Sequence, residues 1–195
     1  MARYTLVPSH ALTDDAVVHR FRQGLPQRVT LEDPAVDVMT DFRRVEAVTV
    51  SAETAMDAAL QKMIHSGVRL LIVVSDDDQI QGVVTARDIL GERPVKAVSE
   101  QRIAHSELTV RHVMTHRNDI SAIDHYDVVL ARVGDIVATL REAGRQHGLV
   151  VEFENGRELV RGVFSLTQIG RQLGVEISAE GPVQSFARIE KLLNR

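Results

Sequence analysis

The chain of 195 residues has no cysteine and no tryptophan. Without thiols it can build no disulfide, no thiolate metal site and no sulfur nucleophile, an absence that suits a reducing compartment. Aromatic residues make up only 4% of the chain, too few for the stacking platforms that hold single-stranded nucleic acid. Basic charge is also short. Lys and Arg number 23 against 27 Asp and Glu, a formal charge of -4, so no electrostatic footprint for nucleic acid or anionic membrane is laid down. Residues Met1 to Thr30 lack any long apolar run and are broken by charges and prolines. They read as neither signal peptide nor transmembrane span. The expectation is a cytoplasmic protein with no membrane or nucleic-acid partner. What remains, 44% hydrophobic and 26% charged residues, is the balance of a chain that folds around a core.

Enzyme signatures are missing as well. There is no G-x-S-x-G elbow, no Walker A sequence, no dinucleotide fingerprint and no H-E-x-x-H. His112 and His116 stand four apart, but no thiolate assists them, and they read as polar residues flanking a turn rather than as a zinc site. The basic pair Arg43-Arg44 is too short to signal nucleic acid and is a candidate for the edge of a ligand cleft. No catalytic residue and no metal ligand is assigned, and the chain is expected not to be an enzyme.

What the chain does have is a repeat. Val38-Met39-Thr40 recurs as Val113-Met114-Thr115, Leu70-Leu71-Ile72-Val73-Val74 as Leu149-Val150-Val151, and Gly82-Val83-Val84-Thr85 as Gly162-Val163-Phe164-Ser165. Three landmarks in one order and at similar spacing mark two copies of one unit. Each copy reads as strand, helix, strand, hairpin, strand, helix. In the first, Ala47 to Val50 is a strand, Ser51 a helix N-cap, and Met56, Ala59, Leu60, Met63 and Ile64 one apolar stripe. Gly67 ends that helix, Leu70 to Val74 is a strand buried on both faces, Asp76-Asp77-Asp78 is a solvated turn, and Ile80 to Thr85 returns. In the second, Ile120 to Ile123 is the strand, Val133, Ile136, Val137 and Leu140 the stripe, Gly144 the helix end, and Asn155-Gly156 the hairpin turn. This copy is a few residues longer between its first strand and its helix. The stretch from Gly91 to Thr109, with Pro94 and many charges, reads as a linker with one helical turn.

These motifs resemble the tandem cystathionine beta-synthase (CBS) domain, or Bateman module, from about Pro34 to Leu173. The resemblance implies an α/β (α+β) fold of two β-α-β-β-α repeats packed through their sheets with pseudo-twofold symmetry. It implies an N-terminal extension at 1–33, a first repeat at 34–94, a linker at 95–108, a second repeat at 109–175 and a C-terminal helix at 176–195. The family's ribose signature is matched in full by Gly82-Val83-Val84-Thr85-Ala86-Arg87-Asp88. A hydroxyl and a carboxylate one turn apart at a helix start can hold a ribose through charge-assisted bonds, with exposed N–H groups for phosphate; they can equally do no more than cap the helix. The resemblance places Thr85, Arg87 and Asp88 in one cleft with Ile120, Ser121, Gln146 and His147. It places Ser165 and Gln168 in a second, weaker cleft with Ala47, Val48, Val68 and Arg69. There Gln168 stands where the ribose carboxylate would, and Phe164 adds bulk expected at the cleft floor. Arg69 and His147 are read as equivalent positions, each able to meet a phosphate.

The ligand implied is an adenine nucleotide (AMP, ADP or ATP) or S-adenosylmethionine, bound as a regulatory ligand; no cofactor is required. Val183, Phe186, Ala187 and Leu193 in the tail lie on one helical face with Glu190, which must be covered. Association into a homodimer and relay to an unidentified effector protein are the partner expectations. The alternative is a ligand-free structural or dimerisation scaffold.

Overall fold

The computed structural model describes residues 8–17 and 24–179; the amphipathic stretch after Gly181 lies outside the described residues. Two hairpins organise the rest. Strands β3 (Leu70–Val74) and β4 (Ile80–Thr85) pair antiparallel in the first copy, and β7 (His147–Glu154) and β8 (Arg157–Ser165) do so in the second. Asn155 and Gly156 both take positive φ, 52° and 76°, the backbone that a two-residue turn between right-twisted strands requires. A short parallel strand lies beside each hairpin: β2 (Thr49–Ser51) against β3, and β6 (Ala122–Asp124) against β7. The helices follow the same plan. They are α1 (Met56–Ser66) and α2 (Ala86–Leu90) in the first copy, and α6 (Val133–Glu142) and α7 (Leu166–Leu173) in the second. The extra length of the second copy is α5 (His125–Leu130), opened by Asp124, whose Oδ1 accepts from Tyr126 N at 2.8 Å.

Each sheet is completed by a strand from elsewhere. The edge of the first sheet is β5 (Thr115–His116), which leads into the second copy; the edge of the second is β1 (Thr40–Asp41), which leads into the first. The Val-Met-Thr landmarks are therefore crossing points. Leu108, with Val110, Val113 and Met114 on and after the short helix α4 (Val110–Val113), is buried in the first helix-side core, and Val29, Ala35, Val38 and Met39 in the second. Gly82 and Gly162 explain why the signature begins with glycine. A Cβ on Gly82 would come closer than 3.0 Å to the Thr115 carbonyl oxygen, and one on Gly162 closer than 3.0 Å to that of Thr40.

The same lead-in segments satisfy the helix starts. Ser51 does not cap α1: its Oγ accepts from Glu53 N at 3.3 Å, and the helix begins five residues later behind Ala55. The N–H of Met56 donates instead to Leu108 O, and in the second copy Val133 N donates to Asp33 O, both at 2.9 Å. A backbone carbonyl from a distant segment thus takes the orphan donor that a side chain was expected to take. The linker also differs from its reading. It contains the nine-residue helix α3 (Arg93–Gln101), because Pro94 falls in the first turn, where its missing N–H has no partner to lose.

Leu71, Val73 and Val84 face the helices of the first copy, and Val150 and Phe164 those of the second. Alternation sends Ile72, Val83, Leu149 and Val151 the other way. These four are buried yet belong to neither helix-side core, so the two sheets cover one another there. Each buried aliphatic side chain in this layer contributes about 1.5–3 kcal/mol relative to exposure. Phe164 corrects an expectation. It is fully buried among Val133, Ile136, Leu166 and Ile169 rather than at a cleft floor, because its strand position, like that of Val84, points to the helices.

Candidate functional site

At the end of β4, Thr85 stops the strand and caps α2. Its Oγ1 accepts from Asp88 N at 3.2 Å; in return the Asp88 Oδ2 accepts from Thr85 N at 2.8 Å and from Thr85 Oγ1 at 2.7 Å. The other oxygen, Oδ1, lies 3.2 Å from Arg93 Nε. Arg93 was hidden from sequence reading inside the supposed linker; its only signal was a cation five residues beyond the Asp of the signature. It comes back to the junction because α3 turns over α2, and it also donates to Val113 O at 2.7 Å and Thr115 Oγ1 at 3.1 Å. On its outer side it lines an open cavity of about 730 Å³ with Arg111, His112, Thr115 and His116.

The second repeat brings His147 to this junction. It is the first residue of β7 and pairs with Ser165. A Cβ on the next residue, Gly148, would meet Leu140 and Ile123 on the helix side, so His147 faces the opposing sheet. Burial holds its imidazole down to about 4; the charge of Asp88 pulls the other way and that of Arg69 adds to the depression. His147 is therefore neutral near pH 7, and its Nδ1 is buried with no hydrogen-bond partner. The charges of Asp88 and Arg69, both from the first repeat, act on this imidazole of the second.

The remaining predicted residues fall into place by register. Ile120 and Ser121 precede β6, whose parallel pairing with β7 sets them beside the start of that strand. Arg145 fastens this stretch by donating to Ser121 O at 3.3 Å and Asp119 O at 3.4 Å. Ala47 and Val48 hold the matching place before β2, where Val48 O accepts from Ile72 N. Arg69 O accepts from Ala86 N and Gln146 O from Leu166 N, both at 2.9 Å. Arg69 and Gln146 are thus structural equivalents, each beside its own repeat's strand-to-helix junction. The counterpart of His147 is Leu70, since Leu70 pairs with Thr85 as His147 pairs with Ser165. The equivalence of Arg69 with His147 read from sequence is corrected by one residue, because ladder register and not side-chain charge sets the match. Val68 is half-buried behind Arg69, and Arg87 lies on the exposed side of α2.

The second junction is built differently. Ser165 makes no side-chain cap bond. Gln168 Nε2 donates to Gln172 Oε1 at 3.2 Å, and Gln172 donates to Pro26 O and Asp37 O at 2.8 and 3.0 Å. The residue standing in the place of Asp88 is therefore tied into the hold on the N-terminal lead-in segment. Among the described residues, no group of three or more His, Asp or Glu is placed to hold a metal ion, and no helix is long and apolar enough to cross a membrane.

Residues 35–94 match the family model of the CBS domain. Solved structures share the fold. A CBS-domain protein from Agrobacterium tumefaciens has 22% identity and a TM-score of 0.51, covering 79% of this chain and 98% of that one. An uncharacterised conserved protein from Pyrococcus horikoshii has 21% identity and a TM-score of 0.51, with 72% and 92% covered. The CBS domain pair of protein MJ0100, solved with 5′-methylthioadenosine and S-adenosyl-L-methionine, has 17% identity and a TM-score of 0.51, with 73% and 97% covered. Among curated proteins, a homoserine O-acetyltransferase of Methanosalsum zhilinae is 33% identical over 81 residues, 42% of this chain. The chain spans 15% of that relative's length.

Proposed function

We propose that this chain, a tandem CBS-domain module, is a regulatory sensor rather than an enzyme, and that it binds an adenosine-containing ligand in the cleft between Thr85/Asp88 and His147. The observation that carries the reading is the convergence of a strand-end hydroxyl and carboxylate from one repeat with a buried, unpaired imidazole from the other. An unsatisfied buried Nδ1 costs about 1–3 kcal/mol, and a ligand that hydrogen-bonds to it recovers that energy. Asp88 serves the ribose, and Ile120, Ser121 and Gln146 wall the base. The structural relative bound to 5′-methylthioadenosine and S-adenosyl-L-methionine supports the ligand class.

The cleft at Ser165 and Gln168 binds more weakly, because a neutral amide held by Gln172 gives no charge-assisted bond to a ribose. The module acts in the cytoplasm as a homodimer and passes occupancy to an effector protein. A ligand does this only by favouring one conformation over another. Titration calorimetry with AMP, ADP, ATP and S-adenosylmethionine tests the reading: one tight equivalent per chain is expected, and heat-silent titrations for all four sink it. Light scattering tests the dimer, which a monomeric mass refutes. One observation favours a ligand-free scaffold: Asp88 is satisfied by Thr85 and Arg93 without any ligand.

A further inference from the structure

The cavity beside Arg93 holds about 730 Å³ and opens to solvent between α3, α4, β5 and the turn at Asp119. Its wall carries Arg93, Arg111, His112 and His116 against one carboxylate, Asp119. The fold does not demand this chemistry, because the same fold is built twice. Counted from the Val-Met-Thr landmarks, Arg111, His112, His116 and Asp119 hold the places that Val36, Asp37, Asp41 and Arg44 hold in the first lead-in segment. The strand ladders agree, since His116 pairs with Gly82 as Asp41 pairs with Gly162. Counted from Thr85 and Ser165, Arg93 answers to Leu173. Basic residues stand where the twin has acids or apolar groups, and the one acid stands where the twin has a base. The twin place serves structure: Leu173 is buried, and Asp41 closes on Arg161, its Oδ2 accepting from Nη2 at 3.0 Å.

Donors are left over on this wall. Thr109 N donates to His112 Nδ1 at 3.0 Å. A backbone N–H can only donate, so the proton of the neutral ring sits on Nε2 and makes that atom a donor. Arg111 donates from Nε to Glu53 Oε1 at 2.8 Å and from Nη2 to the same oxygen, which leaves Nη1 unengaged. The pair is exposed by half or more on both sides, so water screens it and the guanidinium is held weakly. Glu53 and Asp88, the carboxylates that pair with the two Arg side chains, are not part of the wall. A guanidinium and two imidazoles spread around a cavity of this size suit several phosphate oxygens better than one point charge. We propose that the cavity is a binding site for an oligophosphate, beside the adenosine cleft, with Arg111, His112 and His116 as its donors. It does not depend on a ribose at Asp88: the anion is either free or the tail of a nucleotide.

Calorimetry on the full chain at neutral pH and low salt tests the site, with sodium tripolyphosphate, ATP and AMP as probes. One equivalent of tripolyphosphate should bind, and Arg111→Gln and His116→Asn should each weaken it about 3- to 10-fold. Arg157→Gln, the same loss of charge at the exposed start of β8, should leave it unchanged. The two sources of the anion separate in the Arg111→Gln variant. Weaker ATP binding with AMP binding unchanged identifies a nucleotide tail; weaker tripolyphosphate binding with ATP unchanged identifies a free anion. A parent that binds neither tripolyphosphate nor ATP overturns the proposal. So do Arg111→Gln and His116→Asn proteins that bind both like the parent, or an equal loss in Arg157→Gln. Tight AMP binding alongside any of the last results removes the cavity site alone and leaves the adenosine cleft standing.

Discussion

Replacing Asp88 by Asn changes the charge at the junction and almost nothing of its shape. The amide oxygen can still accept from Thr85 N, so the first turn of α2 keeps a cap. What goes is the negative charge that strengthens the bonds from Thr85 and balances Arg93. Losing charge assistance costs roughly 1 kcal/mol per bond. The Arg93 pair, with its guanidinium 44% exposed, adds well under 1 kcal/mol because water screens it. The variant should therefore lose about 1–2 kcal/mol of stability, a fall of roughly 3–6 °C in melting temperature for a chain of this size. Ribose binding loses more, because the charge-assisted bonds to the ligand are worth about 1.5–3 kcal/mol, or roughly 10- to 100-fold in affinity. Urea unfolding and calorimetry, side by side, separate the two effects. A variant that is less stable by this amount but binds AMP like the parent would show that Asp88 is a helix cap only, and the functional argument would fall.

Three further outcomes are expected. His147 has a folded-state pKa near 4, below its unfolded value of about 6.5, so the unfolded chain binds the extra proton and stability falls as pH drops from about 6.5 to about 4, by at most about 3 kcal/mol. His147→Leu, which copies Leu70, should remove most of that slope, and urea midpoints at pH 7.5 and 4.5 that move as in the parent refute the assignment. Gly82→Ala should destabilise by about 1–3 kcal/mol and speed hydrogen exchange at Thr115 and His116, with Gly162→Ala doing the same at Thr40 and Asp41; unchanged exchange at these edges would contradict the crossing of the lead-in segments. Gln168→Asp should form with Ser165 the box that Thr85 and Asp88 form and add a second AMP equivalent in calorimetry, whereas a stoichiometry still at one would show that the hold by Gln172, not the missing carboxylate, limits the second cleft.

The local pieces are legible in the order of the amino acids. A continuous apolar run and its return placed β3 and β4, helical stripes placed α1 and α6, glycine ended α1, Asn155-Gly156 turned the second hairpin, and the Thr85 to Asp88 spacing set a hydroxyl and a carboxylate at one helix start. All of these depend on residues within a few positions of one another, which is the range over which propensity, capping and turn chemistry act. What completes each piece comes from segments distant in the chain. The crossing of β1 and β5, the carbonyl of Leu108 that starts α1 and the return of Arg93 to Asp88 join groups brought together by folding. The pairing of Arg69 with Gln146 rather than His147 turned on ladder register, where a slip of one residue sends a side chain to the other face. The charge of Asp88 acts on His147 from the other repeat, and no spacing rule reaches that far along the chain. Their proximity comes from burying Ile72, Val83, Leu149 and Val151 between two sheets, a condition on the whole chain.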